Sequence, residues 1–372
     1  MLSENLKKNI SQDDAQYSLL SFDSFDLPIY DPKSHYKDIT SSGHFHALII
    51  LRHHFKCVSD YYFSEEQGAK NIDLFMITPS ISSPVGPGSD SEAIPIKFGK
   101  LDSFLVDSSQ FGFEPVVMNK FEKVYCYLPS MRGEDYDKRH LNQFFHCEAE
   151  IRGDINKLIP IVEDYIKILC EMLLMMPNII DKISLNPNKT KGALEKVVTS
   201  DGFGCITFDE AVDILVRNDK AEFVNFTESG RDISASGELE IAKLLNMETP
   251  FWITNFDRDR VPFYQKPDPN NSEKVINADL IFPSLIRGAF GGEIVGCGQR
   301  QDNKMEMLES LERQGISPLS YEWYINLRDM SDYSVTSGFG LGVERFITWS
   351  LCRDDIKDAI LYPRLKNVIT YP

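Results

Sequence analysis

None of the seven cysteines forms a Cys-x-x-Cys pair, and their odd number and scattered positions (57, 126, 147, 170, 205, 297, 352) exclude a disulfide framework. They read as free thiols in a reducing compartment. No stretch has the continuous apolar length of a membrane span. Lys7 and Lys8 are followed by no apolar core, so no secretory signal is seen and the expected location is cytoplasmic. Internal repeats, heptads and low-complexity tracts are absent. Basic runs are missing too: acids outnumber bases 56 to 39, a net charge of −17 that opposes approach to a polyphosphate backbone. His44, His46, His53 and His54 lie close together, but spacings of one and two do not share a helix face, so no metal-ligand set is assigned to them.

Apolar residues make up 42% of the chain, with 24 Phe and 15 Tyr, enough for a sizeable core. Residues 1–40 are polar, contain Pro28 and Pro32, and show no sustained period; an irregular N-terminal arm is expected. From His44, Leu48, Leu51, Phe55, Val58 and Tyr62 recur at helical steps. Asn71–Pro79 reads as a buried strand. Shorter strands are expected at Ile94–Phe98, Ser103–Val106, Val124–Leu128, Phe144–Ile151, Phe251–Asn255 and Val275–Phe282, the last two separated by a polar loop, Lys266–Lys274. Helices are expected over 160–178, Phe208–Arg217, Gly237–Leu245, Lys304–Gln314 and Gly342–Leu351. Strands interrupted by helices without strict alternation predict an α+β fold around a mostly antiparallel sheet. The domain reading is an arm over 1–40 and one catalytic domain over 41–372, with an inserted segment at about 180–240.

Three segments carry the chemistry. Ser337-Gly338-Phe339-Gly340-Leu341-Gly342-Val343-Glu344-Arg345 has three glycines in five positions, which let backbone approach a flat or phosphate-bearing ligand, before a helix bearing Arg345. Upstream stand Arg132-Gly133-Glu134-Asp135, then Lys138-Arg139-His140-Leu141-Asn142-Gln143-Phe144. Between them lies Gly291-Gly292-Glu293-Ile294-Val295-Gly296-Cys297-Gly298-Gln299-Arg300. Arginines suit phosphate because their planar fork pairs with its oxygens two at a time. Paired carboxylates suit Mg²⁺, which takes oxygen ligands and binds together with substrate phosphates.

Together these segments resemble the ATP site of class II aminoacyl-tRNA synthetases, in the aspartyl/asparaginyl branch, over roughly residues 44–364. The resemblance implies that fold, a homodimer formed through the helix at 44–62 and the strand ending at Pro79, and ATP and Mg²⁺ as cofactors. It implies that Arg132 contacts the α-phosphate and the attacking carboxylate, and that Glu134 lies near adenine. By the same resemblance Phe144 stacks on the adenine ring with Arg345 on its other side, His140 lies by the γ-phosphate, and Gly342 belongs to the ATP site. Asp279 and Glu293 look like the family's Mg²⁺ carboxylates, although about six extra residues around Ser284–Phe290 separate them.

Ser108-Ser109-Gln110-Phe111-Gly112-Phe113-Glu114 is similar to the asparaginyl pattern for the acyl pocket. Arg328 matches the arginine used on the substrate side chain, so Ser108, Gln110, Glu114 and Arg328 are the expected substrate-binding set. Two departures stand beside this match. The loop that supplies a glutamate for the α-ammonium reads Val85-Gly86-Pro87-Gly88-Ser89, so either Asp90 or Glu92 substitutes or the acid is atypical at its α-position. Val335-Thr336 replace the family's Pro-His. The family's anticodon-binding β-barrel has no counterpart ahead of residue 44. These departures and the acidic charge lead to the expectation of an adenylate-forming ligase that activates an aspartate- or asparagine-like acid and passes it to ammonia or a small amine. On that reading tRNA is an unlikely partner. The alternatives are asparaginyl-type charging of tRNA and a non-catalytic regulatory paralogue.

Overall fold

Eight stretches pair into one sheet, and alternation along its central strands, shifted by one bulge between Glu293 and Val295, decides which face is packed and which is open. In chain order they are β1 (Lys70–Asn71), β2 (Lys123–Met131), β3 (Gln143–Arg152), β4 (Gly204–Thr207), β5 (Phe251–Thr254), β6 (Asn277–Phe282), β7 (Gly292–Gln299) and β8 (Thr336–Gly342). This computed structural model describes residues 2–82 and 91–371. In space the strands run β1-β2-β3-β8-β7-β6-β5-β4. Neighbours from β2 to β5 along that order are antiparallel; only the two outer pairs, β1 with β2 and β4 with β5, are parallel. The architecture is α+β, a mostly antiparallel sheet flanked by helices.

One face is closed by α1 (Glu4–Ser18), α2 (Gly43–Tyr61) and α4 (Ile155–Leu174), with α3 (Gln110–Met118), α5 (Ala235–Leu244) and α6 (Val343–Ser350) completing the labelled helices. Leu48, Leu51, Phe55 and Val58 of α2 pack with Leu158, Val162, Tyr165 and Leu169 of α4. The same core takes Cys147, Ala149 and Ile151 from β3, Val295 and Cys297 from β7, and Phe339 and Leu341 from β8. Each large side chain buried here contributes roughly 1.5–3 kcal/mol. The alternate residues of those three strands therefore face the other way, since strand side chains switch sides at every step. They are His146, Glu148 and Glu150 on β3, Gly296 and Gly298 on β7, and Gly338 and Gly340 on β8.

Several expectations are corrected. The arm holds a helix, α1: it has few apolar positions, but Ile10 and Tyr17 are buried, and Asp14 accepts from the Ile179 N–H at 2.9 Å while Tyr17 donates to Gly43 O. Tertiary contacts decide this helix. The strand expected over Asn71–Pro79 is broken into Lys70–Asn71 and Ile77–Thr78, which join different sheets. The glycine-rich run before Arg345 is the central strand β8. A small hairpin, Pro267–Asp268 with Asn271–Val275, occupies the loop expected at 266–274. The apolar face of α2, the helix expected at a dimer contact, is covered by the chain itself. Within the segment at about 180–240, Gly204–Thr207 is an integral edge strand of the main sheet.

Candidate active site

The open face of the sheet is floored by glycine. Gly296 lies opposite Gly340 and Gly298 opposite Gly338 across β7 and β8, so four residues without side chains make a flat patch of bare backbone. Acidic groups of β3 border it, because β8 pairs Gly340 with Glu148 and Gly338 with Glu150. Two of the glycines have a visible steric reason. A Cβ at Gly338 would overlap Glu150 Oε2 and Arg300 Nη2. A Cβ at Gly298 would come within 2.6 Å of the Gln265 carboxamide carbon.

Asp279 on β6 and Glu293 on β7 converge over this floor. A Cβ at Gly296 would lie 3.5 Å from Asp279 Oδ1 and 3.4 Å from Glu293 Oε1. The extra residues around 284–290 form a loop beyond the ends of the two strands, and Asp279 keeps its place opposite Gly296. Burial, with Glu293 and Glu238 nearby, holds the Asp279 carboxyl well above the usual carboxylate range. Glu238 of α5 accepts from the Glu293 N–H at 2.8 Å and is itself pushed up to about 7, first by burial and then by Glu293. Three acids crowd one place, which is the electrostatic situation a divalent cation relieves. The two converging carboxylates offer the hard oxygen donors that Mg²⁺ takes, so the residues present fit that ion.

Arg345 enters from the first turn of α6 and bonds the Glu293 carbonyl and carboxylate, both at 3.1 Å. Arg132, Glu134, His140, Phe144, Glu293, Gly342 and Arg345 line one end of the cleft together, so every residue expected at the nucleotide is brought to one place. The Arg132 guanidinium lies 5.3 Å over the Phe144 ring. Glu134 accepts from the Glu92 N–H at 3.0 Å, and His140 pairs with Asp137 at 2.9 Å. Glu344, the neighbour of Arg345, points away, to Arg52 and the Phe145 N–H.

The other end of the cleft is lined by Ser108, Gln110, Glu148, Asp279, Arg300 and Gln265 among others. Ser108 is engaged by Glu148, which also accepts from the Ser109 N–H at 2.8 Å. Gln110 bonds Arg300 through its oxygen and Glu150 through its nitrogen. Burial lowers the His146 pKa well below its ordinary value, leaving a neutral ring against Ser130. Glu114 and Arg328 do not reach the cleft surface. They form a buried ion pair at 2.9 Å, with Thr336 and the Gln301 carbonyl as further partners. Each charge is taken up by the other, so Arg328 stands behind the acyl pocket rather than in its wall. The loop with Val85 and Asp90 lies outside the described residues. Glu92 turns toward Lys366, 3.5 Å away.

Sequence reasoning passed over Arg139, Glu148, Glu150, Glu238 and Gln265, and took Arg300 only as the continuation of a strand. One signal was available: His146, Glu148 and Glu150 alternate with apolar residues on a strand. Charged groups on one face of a central strand have no reason to be there unless that face lines a site.

The family model described as tRNA synthetases class II (D, K and N) matches residues 33–366. The chain belongs to that family. It is 31% identical over 279 residues to the asparagine–tRNA ligase of Thermococcus kodakarensis, covering 74% of this chain and 60% of that protein. It is similarly 31% identical to the asparagine–tRNA ligase of Pyrococcus furiosus, over 72% of this chain and 58% of the relative. The chain thus matches about three fifths of the length of these curated relatives. Among solved structures, asparaginyl-tRNA synthetase from Pyrococcus horikoshii complexed with asparaginyl-adenylate superimposes with a TM-score of 0.79 at 25% identity, over 92% of this chain and 74% of that one. These relatives bear on the expected acceptor. They are named as ligases or synthetases of tRNA, and neither amide formation nor the reading of tRNA as an unlikely partner finds support among them.

Proposed function

We propose that this chain is an ATP-dependent ligase of the aminoacyl-tRNA synthetase type, which activates asparagine as its adenylate and passes the acyl group to tRNA. The observation that carries this reading is the convergence of Asp279 and Glu293, with Arg345 bonded to Glu293, over a floor of four glycines in a chain of this family. In the first step a carboxylate oxygen of the amino acid attacks the α-phosphorus of ATP. The new P–O bond forms as the bond to pyrophosphate breaks, and no protein nucleophile is needed. The work left to the protein is positioning and charge compensation. Arg132 and Arg345 offset phosphate charge, Phe144 offers its ring to adenine, and the bare floor lets the nucleotide lie against backbone. Asp279 and Glu293 would hold Mg²⁺, which would supply neutralisation of the polyphosphate when bound.

The reading includes a homodimer and a cytoplasmic site of action, the latter in keeping with seven free cysteines. The acceptor is tested by incubating the protein with ATP, labelled asparagine and total tRNA, and separately with ammonia. Label recovered in acid-precipitable tRNA is the expected result. Label recovered in a small amide, with tRNA irrelevant, would overturn the tRNA reading in favour of amide formation.

A further inference from the structure

Four residues among those described line both the nucleotide end and the acyl end of the cleft: Arg132, His146, Glu293 and Gly340. The two ends meet where a carboxylate oxygen must reach the α-phosphorus. Three of the four already have a part in that step. Arg132 offsets phosphate charge, Glu293 is one of the two carboxylates for Mg²⁺, and Gly340 belongs to the bare floor. His146 has no such part. It projects from β3 between Phe144 and Glu148, its ring set edge-on to that of Phe144 with centroids 4.7 Å apart.

Hydrogen-bond accounting decides which ring nitrogen carries the proton. The register of β2 and β3 sets Ser130 opposite Phe144, one diagonal step from His146, and its Oγ lies 2.9 Å from Nδ1. Ser130 is buried, and its hydroxyl has no other partner among the described residues. With the proton on Nδ1, the Ser130 O–H would be left buried without an acceptor, which is destabilising. With Ser130 donating to Nδ1, both atoms are satisfied and the proton sits on Nε2. Glu148 Oε1, 3.7 Å from Nδ1, is too far to accept from it and is already supplied by the Ser108 hydroxyl. Nε2 has no partner among the described residues and is not sealed off. The side chain is 14% exposed, so this N–H faces the cleft. Burial, then Arg132 and Arg345, oppose a second proton and keep the ring neutral.

We infer that His146 is a further catalytic residue, whose Nε2–H donates to the oxygen of the substrate carboxylate that does not attack. That oxygen becomes the carbonyl oxygen of the adenylate. The inference rests on the adenylate-forming reading above. As the other oxygen bonds to the α-phosphorus, the electron pair of the breaking P–O bond leaves with pyrophosphate, and His146 keeps its proton. The substrate carboxylate loses its charge in this step. A neutral donor suits an oxygen that starts as half of an anion and ends as a carbonyl. An arginine in its place would hold the starting carboxylate more tightly than the transition state and so raise the barrier. Fixing one oxygen also aims the other at phosphorus.

The test measures ATP–pyrophosphate exchange with asparagine for the whole chain and two variants. His146→Gln keeps a neutral N–H donor near the place of Nε2, and His146→Leu has none. His146→Leu should lower kcat about tenfold to a hundredfold while ATP affinity in calorimetry stays within about twofold. His146→Gln should restore kcat to within about fivefold of wild type, with a pH profile of the same shape between about pH 6 and 8. Equal losses in the two variants, or an unchanged kcat in His146→Leu, overturn the donor role. The tautomer is read separately by NMR of the ligand-free protein carrying ¹⁵N-labelled histidine, the His146 signals being those missing from His146→Gln. A neutral ring protonated at Nε2 is expected, and protonation at Nδ1 overturns the inference. Absence of asparagine-dependent exchange in the wild-type protein would instead refute the functional reading. The tautomer then decides for His146: an Nε2–H ring upholds the donor and an Nδ1–H ring removes it.

Discussion

Asp279 and Glu293 reach the same point above Gly296 from neighbouring strands, their carboxylate oxygens 3.5 and 3.4 Å from where that residue's Cβ would lie. Two acids brought so close, with Glu238 behind them, repel one another unless a proton or a cation intervenes. Asp279→Asn removes one anionic donor and eases the repulsion. The Mg²⁺ concentration giving half-maximal pyrophosphate exchange should rise at least about tenfold in this variant, with the fold unchanged by circular dichroism. An unaltered Mg²⁺ titration would remove Asp279 from the ion's site.

Gly338 makes the pocket's buried ion pair possible. Its Cβ would overlap both Glu150 and Arg300, whose side chains are at most 4% exposed. Gly338→Ala should therefore force the pair apart and destabilise the protein by about 3–5 kcal/mol, the usual range for a broken buried pair. Urea unfolding measures it. A change below about 1 kcal/mol would mean that the pair re-forms around the methyl group.

These two relationships mark what the sequence could and could not disclose. Arg132, Phe144, Glu293 and Arg345 were legible because each stands in a long motif, and the structure gathers them. The helix from residue 43 was legible from its 3.6-residue period. Helix α1 was not, since what holds it is tertiary: Asp14 accepts from Asn178 and Ile179, Asp13 pairs with His54, and Ile10 and Tyr17 enter the main core. The strand that carries the glycines before Arg345 was not legible either, since β-pairing on both sides overrides their poor strand propensity. Arg300 with Glu150, and Glu114 with Arg328, are pairs made 150 and 214 residues apart, and no local spacing signals them. The two-residue alternation of His146, Glu148 and Glu150 was readable and shows where charge faces the cleft.

Glu238 links the site to pH. Its carboxyl is raised from 4.5 to about 7 in the folded protein, so the folded state binds a proton more tightly than the unfolded chain. Its contribution to stability is complete below about pH 4.5 and is lost as pH rises toward 7. Glu238→Gln keeps an oxygen for the Glu293 N–H and cannot ionise. Denaturant unfolding between pH 4.5 and 8 should show a shallower fall in stability for this variant than for wild type. Parallel curves would show that Glu238 does not titrate in that window.

A surface left for a second copy is the three-stranded sheet of Ile77–Thr78, Pro95–Phe98 and Leu101–Leu105. Ile77, Phe98 and Leu101 are 38, 59 and 65% exposed there, and exposed apolar groups clustered in this way mark interfaces. Sedimentation of the wild-type protein at micromolar concentration should give twice 42.5 kDa, and Leu101→Lys should shift it toward the single-chain mass. A wild-type monomer would contradict the dimer.

Adenylate formation is the claim on which the rest depends, and asparagine-dependent exchange of labelled pyrophosphate into ATP reads it directly, without tRNA or any other acceptor. The account predicts exchange that requires asparagine and Mg²⁺ and falls at least about tenfold in Arg345→Ala, which loses a charge-assisted contact to the nucleotide. Wild-type protein that binds ATP in calorimetry yet gives no exchange with asparagine would contradict it.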